Sequence, residues 1–518
     1  MDMVLYTMST IVMMMMMILV LLHVWKFLKW AWFEPRQKEK QLRQQGFNGN
    51  SYRFLLGDFK DISRKAKEVQ SKPMAAFSND ILETTLAFFY EALQENGENC
   101  FVWLGTKPTV LITDPEMIKE IFSRNYIFQK INSPLNKLIA RGVAEYDTEK
   151  WAKHRRLLNP AFHLEKVKHM LPSFYSSCVK MLSNWEEIVR MDGSCEVDVW
   201  PHIRTLTSDA ISRTAFGSNY EEGRKIFELQ NQQATLILNS FALLIPGWRF
   251  LPTKVNRKMK ENAREAQSCV LEIINKRMQL IERGSQNSND LLGLLLESNF
   301  KEIQENGNEF GMSMEDVIEE CKLFYIAGQT TTSSLLVWTM LLLGKHLDWQ
   351  ERARDEILHV FANNEVPDFH NLNRLKVVTM IFHEVLRLYP PGVILSRAIH
   401  QETTLKNLIL PGGVQLFLPA VLLHHDKRVW GDDADDFKPE RFSEGVSKAT
   451  KDQFSYFPFG GGPRICIGQS FALLEAKLVI AMILQRYAFV ISPSYAHAPE
   501  VGLSLQPQYG AQLILRRI

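Results

Sequence analysis

The sequence lacks the marks of a disulfide scaffold, a zinc ribbon or a nucleic-acid binder. Its six cysteines, at 100, 178, 195, 269, 321 and 466, are scattered over 518 residues, and no two form a CxxC pair. That spacing excludes a disulfide framework and fits a reducing compartment. Sixty Lys and Arg against 58 Asp and Glu leave a net charge of +2, so the balance carries no nucleic-acid footprint. Past about residue 50 there is no internal repeat or low-complexity linker, and no Rossmann-type glycine fingerprint for flavin or nicotinamide. With 46% hydrophobic and 23% charged residues, the composition also excludes general disorder and a collagen-like repeat. At roughly 150 residues per domain, the length would allow three or four domains.

Long apolar runs are scarce too, with one exception. Val4 to Val24 holds no Asp, Glu, Lys or Arg. As a helix these 21 residues would span roughly 30 Å, the thickness of a bilayer core. A cleaved signal peptide competes with a transmembrane anchor, but the run exceeds a usual h-region, no Lys or Arg precedes it and no A-x-A site follows. Only Asp2 lies before it, while Lys26, Lys29, Arg36, Lys38, Lys40 and Arg43 follow. The positive-inside rule then places everything after residue 25 in the cytosol. Trp25, Trp30 and Trp32 suit an interfacial belt, or equally a surface packed on the globular part. The apolar runs near 335–343 and 478–484 are short and flanked by charge, so one span is expected.

Apolar residues recur at three- and four-residue steps over 149–158, 165–187, 255–282, 313–344, 348–361 and 372–388, which predicts helices. The polar stretch Gly284 to Gly311 reads as a loop region. Strand-like segments are short and late, as in Val414 to Leu418 and Ala511 to Leu515. The expected fold class is mainly α with small β-sheets.

The densest chemistry lies in Phe457 to Gly468, ahead of an apolar-periodic run from Gln469 to Tyr487. Three glycines and a proline make a side-chain-poor loop that a flat ligand can approach. Cys466 falls just before a helix start, where free N–H groups and the helix dipole favour the metal-binding thiolate. A lone cysteine is ordinarily a small buried hydrophobe. Here Phe459-x-x-Gly462-x-Arg464-x-Cys466-x-Gly468 resembles the haem-binding signature of the cytochrome P450 family.

Three further motifs follow that family's order. Glu384-x-x-Arg387 shares a helix face and alone would be a surface ion pair. By resemblance it forms a structural lock with Arg441 of Pro439-Glu440-Arg441-Phe442. Trp151-x-x-x-Arg155 and Arg397 would meet haem propionates, for which planar guanidinium forks are suited; an exposed basic helix face is the plain alternative for Arg155 and Arg156. A long helix opening at a Ser313/Asp316 capping box would carry Ala327-Gly328-Gln329-Thr330-Thr331-Thr332 at its middle, where small residues admit a ligand and hydroxyls supply protons. In the family's oxygen-activating groove the threonine corresponds to Thr331. Its acidic neighbour is replaced here by Thr330, which implies weakened or rerouted proton delivery.

Resemblance covers practically the whole chain. Trp32-Phe33-Glu34-Pro35, Gln45 to Arg53, Ala215 to Gly223 and Tyr495-Ala496-His497-Ala498-Pro499 look like the plant subgroup containing secologanin synthase, deoxyloganic acid hydroxylase and oleanane-triterpene oxidases. It implies haem b (iron protoporphyrin IX) on Cys466 and a small apolar terpenoid substrate, a triterpenoid or iridoid ahead of a gibberellin. NADPH and flavins would act only through a partner, NADPH-cytochrome P450 reductase, in the endoplasmic reticulum membrane. Pocket-wall candidates by family position are Leu135, Phe241, Leu244, Ala327, Val393, Ile394 and Leu503, each of which would also pass as core. Residues 1–25 are then a bilayer anchor, 26–50 a basic linker, and 51–518 a haem-thiolate catalytic domain facing the cytosol. A reductase-independent isomerase or dehydratase and a haem protein without turnover are the competing functions; Thr331 argues against the first and Thr330 is the one feature favouring the second.

Overall fold

The computed structural model describes residues 2–131, 136–189, 193–238, 247–283, 290–307, 309–362, 367–450 and 452–518. Helix dominates, as the periodicity predicts. Among the described residues two helices are long and apolar enough to cross a membrane. Leu5–Gln44 is 0% buried over its apolar window, whereas Met314–Lys345 is 72% buried. The second is therefore the central core helix, and the N-terminal run is the one that suits a bilayer.

Residues 26–50, expected as a linker, are helical to Gln44: Asp2–Leu28 passes through a π turn at Lys29–Phe33 into Glu34–Gln44. Ala31, Pro35, Glu39 and Leu42 are buried. The Tyr52 hydroxyl donates to the Ala31 carbonyl at 2.6 Å, and Glu39 accepts the Tyr52 N–H at 3.2 Å. Trp32 packs beside Tyr52 with Arg36 over its ring, so of the three tryptophans this one belongs to the globular surface.

The central helix starts where the capping box places it, with Ser313 and Asp316 bonding each other's backbone N–H. Two expected helices are broken. The stretch 165–187 becomes Leu164–Lys168 and Leu171–Val189, the second with Pro172 in its first turn, where no N–H is missed. The stretch 372–388 becomes Phe369–Arg374 and Lys376–Leu388, and the Glu356 carboxylate takes the free N–H groups of Lys376, Val377 and Val378.

Two readings need correction. Within 284–311, Leu291–Asn306 is a helix capped by Asp290 and buried through Leu291, Leu292, Leu295 and Leu296. Strands also occur early. Asn48–Gly49, Cys100–Leu104, Lys107–Leu111, Gln415–Pro419, Ile394–Ile399 and Phe128–Gln129 form, in that order, one six-stranded sheet. Cys100–Leu104 and Lys107–Leu111 are buried on both faces, so they show no alternation to read. The two late strands expected from sequence occur as Gln415–Pro419 and Gln512–Arg517. The Tyr495/His497 motif is structural: His497 bonds the Tyr495 hydroxyl and the Ser78 carbonyl and accepts the Met74 N–H, holding Met74 and Ser78 to the segment just before the hairpin of Pro499–Val501 and Leu505–Pro507.

Candidate active site

The cysteine loop is held at both ends by backbone bonds. Phe457 donates its N–H to His424 Nε2 at 3.1 Å, and Cys466 donates to the Phe459 carbonyl at 2.9 Å. Gly462, at φ +64°, cannot be replaced without strain, and a Cβ there would lie 2.5 Å from the Phe122 carbonyl. The loop can therefore lie flat against the helix Pro115–Ser123. Gly468 caps the helix Gln469–Leu484, two residues after the cysteine. Cys466 has free space against its thiol yet is surrounded by protein, so it faces an internal space. Burial raises the thiol pKa, opposed by the Gly468 N–H and by Arg155. The expected helix-terminus effect is present but outweighed; coordination to a metal ion would deprotonate the thiol outright.

The basic residues converge beside this loop. Arg155, on the helix Thr148–Leu158, donates to the Ile465 carbonyl at 2.9 Å. Trp151, on the same helix, is buried with the Arg464 guanidinium 4.6 Å from its ring centroid. Arg464 bonds the Tyr146 carbonyl at 2.7 Å and the Asp147 carboxylate at 2.5 Å. Arg397 is buried from the strand Ile394–Ile399, and burial with Arg464 nearby pushes it down to about 10. The Nε atoms of Arg397 and Arg464 are buried without an acceptor among the described residues. Such donors suit an anionic ligand with planar carboxylates.

The expected lock is assembled, with Glu384 and Arg387 fully buried and Arg441 at its partly exposed edge. Arg387 donates twice to Glu384, at 2.8 and 2.7 Å, and to the carbonyls of His424 and Ala434. Arg441 Nε lies 3.5 Å from Glu384, and its other nitrogens bond Trp430 and Asp433. The same lock therefore positions His424, which holds Phe457.

At the middle of the central helix Ala327 and Thr331 are one turn apart and both exposed. The Thr331 hydroxyl donates to the Ala327 carbonyl at 2.7 Å, and Thr330 to Ile326 at 2.8 Å. Gly328 has a different reason from the one expected. A Cβ there would lie 2.6 Å from the Ile211 side chain, so the glycine permits close packing on the helix Val199–Phe216.

Among the pocket-wall candidates, Ala327 and Leu503 are exposed, Ile394 is half-buried and Val393 is buried. Two hydrogen bonds bring their segments together: the Ser504 hydroxyl donates to the Thr330 carbonyl at 3.0 Å, and the Leu505 N–H to the Pro391 carbonyl at 3.1 Å. Leu135, Phe241 and Leu244 lie outside the described residues. Asp147, which accepts from Arg464, and His424, which holds Phe457, are site residues that the motifs did not flag. Their placement depends on tertiary contact.

The family model described as Cytochrome P450 matches residues 81–515. The chain belongs to the cytochrome P450 family. It is 56% identical over 503 residues to Cytochrome P450 CYP72A219 of Panax ginseng, covering 96% of this chain and 97% of that one. Identity to Cytochrome P450 72A397 of Kalopanax septemlobus is 55%, covering 95% of each chain. Against Cytochrome P450 72A68 of Medicago truncatula it is 53%, covering 96% of each. The protein is thus a plant cytochrome P450 of the CYP72 clade and a monooxygenase. Family membership implies a haem-thiolate centre, and the open thiol of Cys466 with the unpaired guanidinium donors fits one.

Proposed function

We propose that this P450 is anchored by its N-terminal helix in the endoplasmic reticulum membrane, faces the cytosol, and hydroxylates or successively oxidises a plant terpenoid. A triterpenoid or iridoid is favoured, with a gibberellin as the third skeleton. The carrying observation is the convergence of Cys466, Arg155, Arg397 and Arg464 from separated segments on one internal site. Cys466 would ligate iron, and Trp151, Arg155, Arg397 and Arg464 would hold the propionates, with Phe459 and Gly468 shaping the loop.

The bound haem would supply dioxygen activation and insertion of one oxygen atom into a C–H bond. Overall, substrate, O2, NADPH and a proton give hydroxylated product, water and NADP+. NADPH-cytochrome P450 reductase would pass two electrons from NADPH through its flavins. The Thr331 hydroxyl would present a proton at Oγ1 from its bond to the Ala327 carbonyl. Thr330 cannot hold a negative charge at neutral pH, so proton delivery would run through Thr331 and water. The apolar walls Ala327, Val393, Ile394 and Leu503, with Leu135, Phe241 and Leu244 by family position, would orient the substrate and exclude water.

Reconstitution with the reductase, NADPH and a terpenoid panel tests this reading. A product carrying one added oxygen from O2 supports it. Product formed without reductase would favour an isomerase or dehydratase, and ligand binding without product a haem protein lacking turnover.

A further inference from the structure

The helix Thr148–Leu158 meets the central helix Met314–Lys345 through a ladder of two rungs. Lys150 Nζ lies 2.6 Å from Asp316 Oδ1, and His154 Nδ1 lies 2.6 Å from Glu320 Oε1. On each helix the two members are four residues apart, so the rungs join facing stripes one turn in height. The outer rung is partly open to solvent, where an ion pair contributes little. The inner rung is 0% exposed on both sides.

The two ring nitrogens of His154 are not equivalent. Nδ1 carries the Glu320 bond, whereas Nε2 stands 3.8 Å from Asp316. That carboxylate is already taken by Lys150, by the Tyr146 hydroxyl and by Ser313. Among the described residues Nε2 makes no bond, and no other side chain bonds Glu320. Burial raises the Glu320 pKa, against the pull of His154. The Tyr146 ring closes edge-on against the imidazole at 4.7 Å.

Both ends of the inner rung lead to the cysteine loop. Arg155, next to His154, donates to the Ile465 carbonyl at 2.9 Å, and Trp151, one turn earlier, stacks with Arg464. At the other end Glu320 packs on Gly142, where a Cβ would lie 2.6 Å from Oε2. The segment running on from Gly142 presents the Tyr146 carbonyl and Asp147 to Arg464.

We propose that His154 is a positioning residue: its Nδ1 contact with Glu320 fixes the helix Thr148–Leu158 against the central helix and so holds Arg155 at the Ile465 carbonyl, beside Cys466. The consequence for the iron ligand rests on the haem-thiolate reading above. Loss of the contact would free the helix to turn, and Arg155 would leave the loop.

The test follows the reduced carbon monoxide complex of the full-length holoprotein as its thiolate-type band converts to the thiol-type band. An asparagine amide reaches the position of His Nδ1, and a glutamine amide that of Nε2. His154→Asn should therefore convert at close to the wild-type rate, and His154→Gln about 10-fold faster, the loss of one hydrogen bond to a charged group. Equal rates in the two variants, or the reverse order, would overturn the proposal. The double variant His154→Leu/Glu320→Leu removes the rung without stranding a charge, so it should keep the thermal midpoint yet convert as fast as His154→Gln. A wild-type rate there would reduce the rung to packing and overturn the proposal. In an Arg155→Gln background, His154→Gln should add no further acceleration; undiminished acceleration would show that His154 does not act through Arg155. Wild-type protein without the thiolate-type band would instead fail the haem-thiolate reading itself.

Discussion

His424 Nε2 accepts the backbone N–H of Phe457 at 3.1 Å, while the His424 carbonyl accepts from Arg387. One histidine thus joins the buried Glu384–Arg387 lock to the first residue of the cysteine loop. An accepting Nε2 requires the neutral ring. Burial, with His425 and Arg387 adjacent, holds its pKa down to about 3.

That neutrality gives a pH prediction. Above the ordinary value near 6.5, folded and unfolded His424 are both neutral and the native contacts are intact. As pH falls from about 6.5 toward 3, the unfolded chain takes up a proton that the folded ring refuses. Stability therefore drops by about 1.4 kcal/mol per pH unit for each such histidine. His383 and His497, each held down to about 4 by burial, add to the same loss. The thermal midpoint should fall between pH 7 and 5, and less steeply in His424→Gln. Equal slopes in the two proteins would contradict the assignment.

The lock itself should be intolerant of single changes. Removing one partner of a fully buried ion pair leaves the other charge stranded, at a cost of about 3–5 kcal/mol. Arg387→Ala and Glu384→Gln should accumulate as haem-poor or aggregated protein. Wild-type haem content and thermal midpoint in either variant would show that the pair is dispensable.

Thr148 opens the helix that carries Trp151 and Arg155, and its φ is +50°. A β-branched residue is strained in that region, whereas glycine is not. Thr148→Gly should raise stability by about 1 kcal/mol, read as a higher denaturant midpoint with unchanged slope. A lower midpoint would mean that the threonine makes a compensating contact.

On the proposed reading, Thr330 and Thr331 divide the groove chemistry. Thr331→Ala should keep haem but waste NADPH, releasing peroxide instead of product. Thr330→Glu should preserve or improve the ratio of product to NADPH consumed. Loss of activity in Thr330→Glu with haem retained would assign Thr330 a role of its own.

Legibility followed the range of the contacts. The cysteine loop, the capping box and the helix pair Glu384/Arg387 are written in local spacing, and the structure shows each with those partners. Helical periodicity likewise carried the fold class. Cys100–Leu104 and Lys107–Leu111 were hidden because burial on both faces erases the two-residue alternation. Leu291–Asn306 was masked by polar ends around a short apolar stripe. The Arg464–Asp147 pair joins residues 317 apart in the chain, and Gly328 depends on Ile211 of another helix. No local pattern encodes either.

The most direct test of the central claim is the reduced carbon monoxide difference spectrum of Cys466→Ser beside wild type. Wild type should give the thiolate-type band, and the serine variant should lose it while folding normally by circular dichroism. An unchanged band in Cys466→Ser would contradict the assignment of this cysteine as the iron ligand.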